Sequence, residues 1–174
     1  NLPYPIHYLL FTLYYLRLSN NHLPFAIYAS LRMAVKRDPA FVLSVHPFKE
    51  TSATVALFTL GEGLKRAVAK GARRPKSKLT AALSPLNEIT AHYFESERGT
   101  MAVLAEADLV KSALPLALRM HDPFLLHYLP EATLTFVQEG EASPVLYRLL
   151  RSCLDGLDEG VKFLMSGKNR LKVY

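Results

Sequence analysis

The segment LRMAVKRDPAFVLSVHP spans residues 31–47, and a shortened copy of it, LRMHDPFLLHYLP, spans residues 118–130. In both copies an Asp-Pro pair separates a helix-compatible stretch from a short apolar run, and a second proline ends that run. The carboxylate of Asp38 or Asp122 can cap a helix, and a proline fits the first helical turn because no backbone N–H is needed there. The second proline of each copy cannot continue a helix. This pattern of Asp-Pro pairs and second prolines predicts several short helices, each beginning soon after the previous one ends.

A similar helix-start pair, a serine followed by a proline, occurs twice in the chain, at Ser84-Pro85 and Ser143-Pro144. The two Asp-Pro pairs lie 84 residues apart, with Ser84-Pro85 46 residues after the first and 38 before the second. Intervals near 40 residues are typical of paired-helix repeats. We therefore expect five prolines to lie in the first turn of a helix, namely Pro24, Pro39, Pro85, Pro123 and Pro144.

Apolar spacing in the rest of the chain also favours helices. The segment 4–18 is apolar nearly all round and predicts a buried helix, which pairs with the next one as an antiparallel hairpin. The segment 130–139 fits either a helix or a strand, and we favour a helix. The other predicted helices span residues 24–37, 52–70 (ended by Gly71), 85–94, 101–112 and 144–164. The sequence thus predicts one all-α domain over residues 1–174, built from antiparallel helical hairpins as a solenoid or an irregular bundle.

In its short helices and its repeat interval the chain resembles the tetratricopeptide and pentatricopeptide proteins. That resemblance implies a helical scaffold that binds other macromolecules. It transfers no binding residue, because the tetratricopeptide signature residues do not line up with this sequence.

Composition and charge set limits on the partners. The 174 residues are 50% hydrophobic and 21% charged, which leaves apolar surface for a partner. The net charge of +6 and the pI near 9.5 suit nucleic acid, anionic lipid or an acidic protein, and are common in mitochondrial proteins. A single cysteine, Cys153, excludes an internal disulfide framework and a cysteine-based zinc site. The start at Asn1 is compatible with removal of a targeting segment, and the apolar run 5–16 is too short to span a membrane.

The strongest charge feature is a run of seven cations without an intervening acidic residue: Lys65, Arg66, Lys70, Arg73, Arg74, Lys76 and Lys78. Pro75 places a loop at its centre. The run can contact phosphates of nucleic acid, or it can be a solvated loop that meets an acidic protein neighbour. We favour the protein neighbour, because no aromatic residue is interleaved with the charges to stack on bases. A second basic segment closes the chain at 168–172.

Glu88, His92 and Glu95 form the best candidate for chemistry. On a helix, spacings of four and three place them on one face, where di-iron proteins carry Glu and His ligands. No second helix supplies the matching ligands, so we favour a solvated face and predict no metal site.

The remaining histidines and glycines give no catalytic pattern. His46, His121 and His127 lie beside predicted helix ends, where backbone carbonyls usually satisfy them. Gly61 and Gly63 lack the Lys-Ser/Thr pair of a phosphate-binding loop and mark either close helix packing or a break. We therefore predict no catalytic residue, no cofactor and no enzymatic activity.

Together these features predict a non-catalytic scaffold or accessory subunit of a larger protein assembly, bound through its apolar helix faces and its basic loop. A mitochondrial complex, such as ATP synthase or a respiratory-chain complex, is the expected setting, with a cytoplasmic location as the alternative. Two other functions stay open: an RNA-associated helical-repeat protein, as in a mitochondrial ribosome, and a helical enzyme whose site is assembled in space.

Overall fold

A closed barrel of five β-strands forms the centre of the protein in the computed structural model, which describes residues 35–95, 101–120 and 124–166. The strands are β1 (Lys36–Phe48), β2 (Ser52–Thr59), β3 (Gly63–Ala69), β4 (Glu88–Phe94) and β5 (Ala102–Lys111). Around the barrel their order is β1-β2-β3-β5-β4. All neighbouring strands are antiparallel except β3 and β5, which are parallel.

Four helices accompany these strands: α1 (Lys78–Ala82), α2 (Leu114–Arg119), α3 (Phe124–Phe136) and α4 (Pro144–Met165). The short helix α1 connects β3 with β4, and the other three follow β5. Five strands in this order, with a helix between the third and the fourth, are typical of the OB-fold, a barrel that often binds oligonucleotides. The described residues from Lys36 onward belong to one compact unit.

The barrel is filled by small side chains. Its interior contains alanines from all five strands, with a few larger residues such as Val42, Leu57 and Ile89 between them. Leu79 and Ala82 of α1 pack against the same interior. A five-stranded barrel has little internal space, so alanine is the residue that fits there. The interior alanines are Ala40, Ala53, Ala67, Ala69, Ala91 and Ala102.

A second core lies outside the barrel, between the outer face of β1 and β2 and the helices that follow β5. Phe41 and Phe58 point outward from these strands, and their rings lie 4.9 and 5.6 Å from the ring of Tyr147 on α4. Leu150 and Leu154 continue the buried stripe of that helix. One part of the barrel surface is therefore covered by the chain's own helices.

The all-α prediction is wrong, and with it the solenoid and the irregular bundle. The predicted helix 52–70 is the β2–β3 hairpin, and the predicted helices 85–94 and 101–112 are β4 and β5. β2 is covered on both faces along most of its length, and such a strand loses the alternation of apolar and polar residues that marks a half-buried strand. Alanine, which fills this barrel, is also the strongest helix former. Continuous burial thus explains the helical appearance of β2, and alanine contributes to it in all these strands.

The two copies of the opening segment adopt different structures. In the first copy Pro39 lies within β1, where the strand pairs with β4 alone, and Asp38 accepts a hydrogen bond from the Gly61 N–H at 2.9 Å. The carboxylate therefore holds the β2–β3 turn and caps no helix. Burial raises the pKa of Asp38 in spite of that hydrogen bond. In the second copy Pro130 lies inside α3 and does not end it.

The prediction that five prolines lie in the first turn of a helix is confirmed at one described position and wrong at two. Pro144 begins α4 as predicted, and the choice of helix for the start of segment 130–139 is confirmed, because α3 runs to Phe136. Pro39 and Pro85 contradict the rule, since Pro85 lies in a turn before β4. Gly61 and Gly63 mark a break, which was one of the two interpretations: Gly61 lies in the β2–β3 turn, and Gly63 begins β3.

Several predictions fall outside the described residues. These are the predicted helix 4–18, the part of the predicted helix 24–37 up to residue 34, and the hairpin that the two helices would form. Pro24, His121, Pro123 and the basic segment 168–172 also lie outside the described residues. The prediction of a single domain over residues 1–174 stays a prediction. Among the described helices, none combines the length and the apolar character needed to cross a membrane.

Candidate nucleic-acid interface

Two connections lie side by side at the end of the barrel where β1 finishes. The backbone N–H of Arg73, in the β3–α1 connection, donates to the carbonyl of Thr51 in the β1–β2 turn at 2.9 Å. The Arg73 guanidinium reaches the carbonyl of Lys49 at 3.4 Å. Residues about 20 positions apart in the sequence thereby form one surface.

We call this surface the basic end and define it as residues 48–52 and 70–78. It contains six cations, Lys49, Lys70, Arg73, Arg74, Lys76 and Lys78, and one acidic residue, Glu50. Lys49, Arg73, Lys76 and Lys78 are exposed. Positive backbone φ angles at Lys49, Gly71 and Lys76 shape the two connections. Five of the seven cations predicted as a patch are in this surface.

The other two members of the predicted patch have other roles. Lys65 lies at the opposite end of the barrel, where its ammonium contacts Glu62 at 2.7 Å and Glu95 at 3.1 Å. The Arg66 guanidinium pairs with Glu139 at 2.8 Å. The structure thus separates Lys65 and Arg66, which form ion pairs on β3, from the five cations that follow that strand.

An open part of the outer barrel face adjoins the basic end. Residues directly opposite each other in antiparallel strands share a face, and the register pairs Phe48 with Ser52, and His46 with Thr54, which in turn faces Val68. None of these five side chains is buried. Farther along the same face, the second core begins and the helices cover the strands.

Phe48 is the aromatic residue of this open face. The residue is 38% exposed, and the Lys49 ammonium lies 5.4 Å from the centre of its ring, within the range of a cation–π contact. The sequence argument against base stacking rested on the absence of an aromatic residue among the basic residues. The fold overturns that premise, because Phe48 at the end of β1 lies at the same end of the barrel as the basic residues that follow β3.

The opposite end of the barrel carries a compensated ionic cluster of Lys36, Glu62, Lys65 and Glu95. Burial disfavours the ionised form of Glu62, but hydrogen bonds from the two lysines outweigh it and lower its pKa. Hydrogen bonds with the same lysines lower the pKa of Glu95. Beneath the cluster, burial and then the charge of Glu62 raise the pKa of Tyr93. Because its charges compensate one another, this end offers little net attraction to an anion.

Glu88 and His92 lie on β4, Glu95 directly follows that strand, and each of the three has a different partner. Buried Glu88 accepts a hydrogen bond from the Tyr147 hydroxyl at 3.1 Å and pairs with Arg151. His92 contacts Asp108 at 3.1 Å, and Glu95 belongs to the ionic cluster. Within the described ranges, no group of three or more His, Cys, Asp or Glu side chains could hold a metal ion.

The two described histidines of the copies lie in different elements. His46 is exposed on β1, so the prediction that a backbone carbonyl at a helix end satisfies it is wrong in its premise. His127 is exposed and is the fourth residue of α3, close to the start of that helix.

A cavity of about 370 Å³ lies between the barrel, α2 and α4. Its charged side chains are all paired with one another: Glu88 with Arg151, Lys111 with Asp155, and Arg119 and Lys162 with Asp158. Ion pairs that satisfy one another leave little charge for a ligand. We therefore place the candidate interface at the basic end.

The chain is similar in sequence to several known proteins. Residues 33–113 match the family described as Recombination protein O N terminal. The DNA repair protein RecO of Cupriavidus metallidurans is 35% identical over 133 residues, which are 76% of this chain and 43% of that protein. The RecO protein of Ralstonia nicotianae is 36% identical over 128 residues, 72% of this chain and 45% of that protein. That of Yersinia pestis is 44% identical over 78 residues, 45% of this chain and 32% of that protein. The chain thus spans less than half the length of these curated relatives.

These matches correct the predictions about family, function and location. The chain resembles RecO proteins, so the resemblance to tetratricopeptide and pentatricopeptide proteins is wrong. The relatives are named DNA repair proteins, which overturns the scaffold subunit of ATP synthase or a respiratory complex and its helical-repeat and helical-enzyme alternatives. They are bacterial proteins, and the predicted mitochondrial location is therefore wrong as well.

Sequence reasoning missed Phe48 and Lys49. Both belong to the segment FKETS, which separates two runs rich in Val, Thr and Phe. A short polar segment between two such runs is a hairpin signal, and it would have placed these residues at a turn. Nothing local in the sequence indicates that this turn meets the β3–α1 connection.

Proposed function

We propose that this chain is a DNA repair protein of the RecO type and that its barrel binds DNA at the basic end. The observation that carries the proposal is the contact between the β1–β2 turn and the β3–α1 connection. That contact gathers six cations and one acidic residue beside an open barrel face. The similarity to proteins named DNA repair protein RecO supports DNA as the ligand.

The location of the basic end fits the way in which OB-folds bind nucleic acid. In these barrels the strands β2 and β3 and the connection between β1 and β2 contact the ligand. Here the β1–β2 turn carries Lys49, and Lys70 directly follows β3. Phosphates that meet such cations release condensed counterions, which makes binding favourable and dependent on salt.

The proposal assigns no catalytic step to the described residues. Cations that bind phosphates supply affinity and position the strand, and they break no bond by themselves. We therefore propose a binding function without catalysis. Protein partners remain part of the proposal, since exposed apolar residues on the helices, such as Leu118 and Phe136, leave surface for them.

The experiment compares two double variants that lose the same charge. Lys76→Gln with Lys78→Gln removes two exposed cations of the basic end. Arg37→Gln with Arg148→Gln removes two exposed cations elsewhere and serves as the matched control. Binding of a labelled oligothymidylate of about 20 nucleotides, longer than one OB-fold site, is measured by anisotropy over a range of salt concentrations.

We expect the variant of the basic end to bind more weakly and to depend less on salt. Each lost phosphate contact reduces the slope of log K against log salt by about 0.7 for a single strand. The control should retain the affinity and slope of the unaltered protein. An unaltered protein without measurable DNA affinity contradicts the proposal, and so does an equal loss in both variants. If the basic end meets a protein neighbour instead, its variant loses a co-purifying protein while DNA binding stays negligible throughout.

A further inference from the structure

We infer that Phe48 is a base-stacking residue, and that through it the basic end distinguishes unpaired bases from duplex. The inference rests on the proposed function and adds to it a specificity-determining side chain. Four observations carry it: the exposure of the ring, its neighbouring cations, the open face beside it and the place where that face ends.

Phe48 belongs to neither of the two hydrophobic cores of the described residues. Burying a phenylalanine side chain stabilises a protein by about 1.5–3 kcal/mol. The chain obtains that stabilisation from Phe41 and Phe58 on the same outer face, which lie against Tyr147. Phe48, which lies on β1 as Phe41 does, is 38% exposed at the end of that strand. Its ring is therefore available to a ligand.

The neighbouring cations hold a strand in the right place for stacking. The Lys49 ammonium lies 5.4 Å from the centre of the Phe48 ring, and the Arg73 guanidinium contacts the Lys49 carbonyl. A phosphate bound by these cations brings the base of the same nucleotide close to the ring. Aromatic rings combined with a basic groove are the general means by which OB-folds bind single strands without sequence preference.

The helices α2 to α4 limit how far a bound DNA strand can extend along the outer face of the barrel. On β2 the open face includes Ser52 and Thr54, and the next residue on that face, Ala56, is buried in the second core. Four residues of a strand cover about 13 Å. A path this short suits a footprint near the lower limit of the ~4–16 nucleotides that one OB-fold occupies. With so few contacts, one stacked base is a large part of the affinity.

Duplex DNA cannot use the ring in the same way. Its bases are stacked on one another, and exposing one of them costs a few kcal/mol. The cations of the basic end still attract duplex phosphates, so a contact that requires a free base discriminates between the two forms. Loss of the ring should therefore reduce the preference for single strands.

The test uses the absence of tryptophan from this sequence. Phe48→Trp introduces a single tryptophan into the 174-residue chain, and a base that stacks on it should quench its fluorescence when oligothymidylate is added. Phe136→Trp, at an exposed position on α3, is the matched control and should show no quenching. Phe48→Ala should weaken oligothymidylate binding about 5- to 150-fold, whereas duplex binding and the salt slope should stay unchanged.

The outcomes separate this inference from the proposed function. If Phe48→Ala binds oligothymidylate within a factor of about two of the unaltered protein while the lysine variant is weakened, the stacking role is wrong and the proposed function stands. An absence of quenching in Phe48→Trp, with binding intact, overturns the inference in the same way. If the unaltered protein does not bind DNA at all, the proposed function fails, and the inference fails with it.

Discussion

Replacing Gly63 with alanine should destabilise the protein far more than the same replacement at Gly140. Both glycines have a positive φ, +67° and +75°. A Cβ at position 140 would have no heavy atom within 4 Å. A Cβ at position 63 would collide with the carbonyl oxygen of Glu141 and lie 2.8 Å from that of Gln138. The two sites thus share the same backbone strain and differ in the space available.

The expected magnitude has two parts. The left-handed backbone conformation costs an alanine about 1–2 kcal/mol at either site. At Gly63 the colliding atoms are backbone, so the connection between α3 and α4 must move away from β3. That movement breaks the hydrogen bond from the Leu64 N–H to the Gln138 carbonyl, and a buried donor without a partner costs a further ~1–3 kcal/mol. We expect about 2–5 kcal/mol for Gly63→Ala and about 1–2 kcal/mol for Gly140→Ala.

Urea unfolding followed by far-UV circular dichroism measures both free energies. With a slope of about 2 kcal/mol/M, a difference of ~2 kcal/mol separates the two midpoints by about 1 M. Gly156→Ala is a control of opposite sign, because this glycine lies in the exposed middle of α4 with open space around it. It should stabilise the protein by about 0.5–1 kcal/mol through helix propensity.

The reasoning is refuted if Gly63→Ala and Gly140→Ala differ by less than about 0.5 kcal/mol, the usual error of such comparisons. That result would mean that the connection between α3 and α4 does not pack on the start of β3. The helices would then be joined to the barrel only through the second core.

Three further changes test other parts of the structure by urea unfolding. Asn87→Ala should cost about 2–4 kcal/mol, because the buried amide bonds two carbonyls of α1 and the N–H that precedes α2, and these groups lose their partners; a cost below ~1 kcal/mol would contradict those bonds. Arg151→Ala should destabilise more than Glu88→Gln, since it leaves a buried carboxylate without its cation, and the reverse order would sink this argument. Glu95→Gln should lower stability at neutral pH, and the difference from the unaltered protein should disappear as the pH falls below 4.5, because a lowered pKa stabilises the fold only while the carboxylate is ionised.

The sequence by itself determined the features that depend on neighbours in the chain. Ser143-Pro144 and the apolar stripe after it predicted α4, and Pro144 begins that helix. The concentration of cations around Pro75 predicted a basic loop, and the β3–α1 connection is that loop. Proline geometry and helical periodicity act over a few residues, so they can be read without the fold.

The barrel was decided by contacts that no local pattern contains. Closure pairs Ala40 with Ile89 across 49 positions, and it buries the alanines of the barrel interior. Asp38 could cap a helix or bind a distant turn, and only the tertiary structure brings Gly61 to it. The same is true of the candidate interface, because the turn after Phe48 meets Arg73 only once β2 and β3 are in register. Local propensity is worth a few tenths of a kcal/mol per residue, whereas burial in a closed barrel is worth ~1 kcal/mol or more for each apolar side chain, so burial decides the structure where the two conflict.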